Sequence, residues 1–150
     1  MGKTCFFIGH RDAPDSLAEE LEKAVERHIS EYGVTEFTVG RYGRFDALAA
    51  AAVKRAKERH SGLQLVCLRP YHPAERTMET PAGFDGSFYP PGMECVPRRL
   101  AIIRANRYLV DTSDFLIAYA PYPGNARKLV EYARRREQWG FLQVTAFPEN

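Results

Sequence analysis

The chain has no long hydrophobic run. No segment approaches the roughly 20 consecutive apolar residues of a membrane-spanning helix, and no apolar stretch follows a basic start as in a secretory signal. No membrane partner is expected. Cysteine is scarce: Cys5, Cys67 and Cys95 lie far apart, with no CxxC pair and no Cys/His cluster, so the common zinc patterns are excluded and no metal or cofactor is implied. Cys5 and Cys67 sit in apolar, strand-like runs and read as buried free thiols, which makes a reduced, cytoplasmic setting the default. An excess of one charge is also lacking. Twenty-one Lys and Arg against nineteen Asp and Glu leave a net charge of +2. Without a basic stripe interleaved with aromatics, that small value argues against a nucleic-acid partner.

What is present is a globular composition, 45% hydrophobic and 27% charged, in 150 residues. This is most simply one domain spanning 1–150, long enough to bury a core without disulfides or metal. Apolar runs of strand type alternate with segments of helical period. Strands are expected at 4–9, 35–39, 63–68, 114–120 and 140–147. Helices are expected at about 15–32, 44–60, 98–110 and 125–138, with Asp15 or Ser16 and later Asn125 as capping residues. Between them, about 70–97 holds most of the prolines with several glycines and aromatics, and reads as a long loop. The alternation predicts an α/β, Rossmann-like fold: a mostly parallel five-stranded sheet with helices on both faces. Ligands of such sheets bind beyond the carboxyl ends of the strands, at a switch in strand order.

Three turns fall on that edge. In Phe6-Phe7-Ile8-Gly9-His10-Arg11 an apolar run ends in Gly9, which can let backbone approach a ligand, followed by His10 as a polar or acid–base group and Arg11 as a planar fork for phosphate. The second turn, Gly40-Arg41-Tyr42-Gly43-Arg44-Phe45-Asp46, is neither GxGxxG nor a Walker pattern. Its Gly40 and Gly43 suit a tight strand-to-helix turn, Arg41 adds charge, and Asp46 can favour the helix dipole or hold a sugar hydroxyl. The third, around Gly124, Asn125 and Arg127, pairs a glycine with a helix N-terminus and a cation, and Glu131 lies four residues beyond Arg127. On the preceding helix, Asn106, Arg107 and Asp111 are further candidates, with an Arg107–Asp111 pair as the structural reading. The run Arg134-Arg135-Arg136 reads as a solvated helix end.

These segments, in this order, resemble the YpsA-like branch of the SLOG superfamily, which also contains the LOG phosphoribohydrolases and the DprA proteins. Cys5–Arg11 is similar to a CFFTGHR-type opening, Gly40–Ala50 to GGAxGxDxxAA, and Asn106–Ala118 to NRxMVDxSDxLIA. The last turn and helix resemble GGTxNTVEYA, although Gly124-Asn125-Ala126 stands where GGT is usual, and Arg41 stands where the second motif has a glycine. The resemblance implies a Rossmann-like fold, a nucleotide-type ligand and, through the LOG relatives, a possible homodimer. It also implies an alternative activity, hydrolysis of the N-glycosidic bond of nucleoside monophosphates, with Glu131 and Arg107 at or near the positions of the catalytic pair. With the phosphate turn altered, binding or sensing of a nucleotide or nucleotide-derived phosphorylated ligand is the first expectation and hydrolysis the second.

Overall fold

Alternation in the first strand sets the architecture. In β1 (Lys3–Gly9), Cys5 and Phe7 join one hydrophobic cluster while Phe6 and Ile8 join another, and all four are buried. Successive strand side chains point to opposite faces, so apolar residues in both phases mean a strand covered on both sides. The computed structural model, which describes residues 2–71 and 80–148, shows how that cover is built. After β1 come α1 (Leu17–Ser30), β2 (Val34–Val39), α2 (Arg44–Arg59), β3 (Gln64–Leu68) and β4 (Gly86–Phe88). Then follow α3 (Ala101–Thr112), β5 (Phe115–Tyr119), α4 (Asn125–Gln138) and β6 (Gln143–Phe147).

The strands form one sheet in the order β4-β3-β2-β1-β5-β6, with every neighbouring pair parallel. It has six strands rather than the expected five. The extra strand, β4, falls inside the segment read as loop and pairs Val66–Leu68 with Gly86–Phe88. The same segment carries a 3₁₀ turn at Met93–Cys95 whose Met93 is buried, while residues 72–79 lie outside the described part. A second 3₁₀ turn, Arg98–Leu100, leads into α3 and occupies what was expected to be its first turn.

One face of the sheet is covered by α1 and α2. Leu17, Leu21, Ala24 and Val25 meet Ala49, Ala52, Val53 and Ala56 in a core with Phe7, Phe37 and Phe45. Alanine along α2 lets the backbones come close, and the two helices pack along their length. The other face is covered by α3 and α4 through Ala105, Leu109, Val110 and Ala133. Ser16 takes the expected N-cap position of α1 without a side-chain cap bond, whereas at α4 Gly124 takes the N-cap position and Asn125 is the first helical residue.

From β1 the chain steps outward through β2 and β3 to β4, then α3 carries it back across the sheet to β5 on the other side of β1. The strand order therefore reverses between β1 and β5, and a crevice forms beyond their carboxyl ends.

Candidate functional site

At that crevice α3 and α4 diverge. Between them lies a cleft of about 780 Å³ floored by Ile8, Gly9 and His10 at the end of β1. Ile102, Ile103 and Asn106 of α3 form one wall, and Asn125, Ala126, Leu129 and Tyr132 of α4 form the other. Around this partly apolar lining stand Arg11, Arg99, Arg107, Lys128 and Arg135, contributed by four separate segments, and among the described residues no carboxylate lines the cleft. Among the described residues none of the five cations is in an ion pair, whereas Arg44, Arg55, Lys57, Arg59, Arg134 and Arg136, outside the cleft, all are. A chain of nearly balanced charge thus concentrates uncompensated positive charge in one concavity, which attracts anions.

The first and third turns are locked together at the mouth. His10 is buried, with its ring stacked 3.9 Å from that of Tyr122 and Nε2 2.9 Å from the Tyr122 carbonyl oxygen. With the proton on Nε2 this is a donated hydrogen bond, leaving Nδ1 as the free acceptor. The Tyr122 hydroxyl donates to Asp12, which pushes the phenol up to about 12. Arg11 donates from Nε to the Tyr42 carbonyl at 2.6 Å, so the second turn aims this guanidinium from behind rather than lining the cleft itself.

The glycines of these turns make room for protein. A Cβ on Gly9 would sit 2.3 Å from the Phe45 ring, and one on Gly43 2.5 Å from the Arg11 Cα. Both positions are therefore dictated by the packing of the first turn against α2. Asp46 is part-buried and accepts a hydrogen bond from the Tyr42 N–H at 3.0 Å. Burial raises its carboxyl to about 6, against the lowering effect of that N–H. Gly40 abuts Tyr42 and Asp46, and exposed Arg41 is outside the cleft lining, close enough to lower the otherwise raised Cys67 thiol electrostatically.

Of the residues singled out from sequence, the fold brings Gly9, His10, Arg11, Asn106, Arg107 and Asn125 to the cleft, and Gly124 abuts His10 behind them. Arg127 instead donates to the Pro121 carbonyl at 2.9 Å and borders a separate groove beside β6. Glu131 is exposed on α4 and outside the cleft lining. Asp111 accepts from the Tyr132 hydroxyl and pairs with Arg136 at 3.4 Å, so its compensating cation comes from α4 and not from Arg107. Arg107 lies over the Tyr132 ring, 4.4 Å from its centroid, and separates the cleft from a neighbouring cavity of about 550 Å³ that also touches Arg104.

Sequence reasoning passed over Arg99, Ile102, Ile103, Lys128, Leu129, Tyr132 and Arg135. For α4 a signal existed: 125, 128, 132 and 135 advance by three or four and share one helix face, whereas 127 and 131 define a different one. Of the three consecutive arginines only Arg135 faces the cleft. No protein-family model matches the chain, and no curated protein is similar to it in sequence.

Proposed function

We propose that the cleft between α3 and α4 binds a nucleotide or a nucleotide-derived phosphorylated ligand, and that binding or sensing, rather than turnover, is its role. One observation carries this reading: five cations line the cleft and, among the described residues, no carboxylate lines it and none of the five is in an ion pair. Uncompensated guanidinium groups in a concavity are suited to phosphate, which they can grip with two parallel N–H bonds. The N–H groups of the first turn of α4 add donors on the same side. Ile102, Ile103 and Leu129 offer apolar surface for a base or ribose, and a cleft of about 780 Å³ has the size of a small-molecule site. Its place at the strand-order reversal and the resemblance of four segments to motifs of the YpsA-like branch favour a nucleotide over a simple anion.

Hydrolysis is less well supported. Cleaving an N-glycosidic bond calls for a carboxylate or similar group within reach of water or leaving base, and among the described residues the cleft lining offers no carboxylate, with Glu131 exposed elsewhere on α4. Thermal-shift and calorimetric titration with AMP, ADP, NAD and ADP-ribose tests the main reading: at least one should bind and raise the melting temperature. Failure of all four with folded protein would refute it. Release of free base from a nucleoside monophosphate, abolished by Glu131→Gln, would establish the hydrolase instead.

A further inference from the structure

We infer that Arg107 and Arg135, placed around the ring of Tyr132, form a second anion subsite in the cleft, so that its ligand is a nucleotide carrying two separated anionic groups. This rests on the nucleotide reading above and deepens it. The first subsite is the mouth, where Arg11, Lys128 and the first turn of α4 meet. Tyr132 lies seven residues after Asn125, about 10 Å further along the helix axis at 1.5 Å per residue. The two guanidinium groups are held there: Arg107 Cζ is 4.4 Å and Arg135 Cζ 5.9 Å from the ring centroid.

That ring is itself fixed, because its hydroxyl donates to Asp111 Oδ1, the oxygen that Arg136 also approaches at 3.4 Å. A guanidinium stacked on an aromatic ring uses its face, leaving the N–H groups around its edge free to donate. Asp111 is engaged by Tyr132 and Arg136, and neither Arg107 nor Arg135 has a carboxylate partner among the described residues. One phosphate, reaching roughly 3 Å to each donor, cannot satisfy the helix start and both guanidinium groups at once. A mononucleotide would leave one end of the cleft unpaired, and a bisphosphorylated nucleoside fills both.

Calorimetry with AMP, adenosine 2′,5′-bisphosphate and adenosine 3′,5′-bisphosphate separates the possibilities. At least one bisphosphate should bind roughly tenfold or more tighter than AMP, the gain expected for added charge-assisted hydrogen bonds. Arg107→Gln with Arg135→Gln should erase that advantage, so that both bisphosphates bind the variant no more tightly than AMP binds the same variant. Arg135→Gln alone, at an exposed position with no ion pair, should remove part of it in a protein with unchanged melting temperature. Equal affinity for AMP and both bisphosphates, or an advantage that survives the double substitution, overturns the second subsite while the nucleotide reading stands. Binding of none of the three overturns both.

Discussion

The two helical layers treat charge in opposite ways. Between α1 and α2 the surface is closed by partners: Arg55 meets Glu22 at 2.7 Å, Arg59 and His60 both meet Glu26, and Arg44 meets Asp15. Between α3 and α4 the helices leave a gap, and five cations line it with no carboxylate among the described lining residues. Self-repulsion of this kind costs stability and is offset by no ion pair among the described residues, which is what the fold would be expected to tolerate at a binding surface. The closed face holds the sheet together; the open face keeps unsatisfied groups available.

That contrast can be broken at several points. The largest effect should come from Phe45→Ala. Phe45 is fully buried, packs against Phe7 and Tyr119 and fills the space under Gly9, so its removal should cost about 3–5 kcal/mol in denaturant unfolding. The first turn should loosen with it and weaken ligand binding as well.

Asp46 is the exception on the closed face, a part-buried carboxylate met by a backbone N–H instead of a cation. Its carboxyl stands at about 6 against an ordinary 3.8. The folded protein therefore keeps a proton that the unfolded chain releases. The stability this gives is fully present below pH 3.8 and is lost as pH rises through 6. Asp46→Asn retains an acceptor for the Tyr42 N–H and should flatten that pH profile. Above pH 6 it should be more stable than the natural protein by up to about 3 kcal/mol; a loss of stability at pH 8 would contradict the sign.

On the open face, Lys128→Glu should leave unfolding free energy within about 0.5 kcal/mol, since Lys128 is exposed and has no ion pair among the described residues. It should reduce nucleotide affinity by roughly tenfold or more, because a like charge then faces the phosphate. A matching loss of stability would erase the distinction between the two faces. The smallest effect is expected for the Arg55–Glu22 pair, where a double-mutant cycle should return about 0.5 kcal/mol or less, shrinking in high salt.

The sequence was most informative where one interaction dominates. Apolar runs of strand type announced β1, β2, β3, β5 and β6, and helical period announced α1 and α2, whose apolar residues the fold buries. The strand at Gly86-Ser87-Phe88 escaped because three residues are too few for a period, and its neighbourhood is rich in proline and glycine. At the site, Gly9-His10-Arg11 and Asn125 stood out because glycine and basic residues next to a helix start carry a local signal. What those glycines contact did not. Gly9 is small for the sake of Phe45, and Gly43 for the sake of Arg11, both distant in sequence. The α4 lining was missed for a related reason. A run of three arginines looks uniform in one dimension, but only the fold separates Arg134 on Glu137, Arg136 on Asp111 and Arg135 in the cleft.

Tyr122 ties its ring to His10 and its hydroxyl to Asp12, spanning two loops that are more than a hundred residues apart in the chain. The mouth of the cleft is thereby ordered before any guest arrives. A ligand would lose little affinity to freezing those loops, and association there should proceed without a slow rearrangement. Its selectivity would come from the fixed spacing of the donors, as a ruler selects by length.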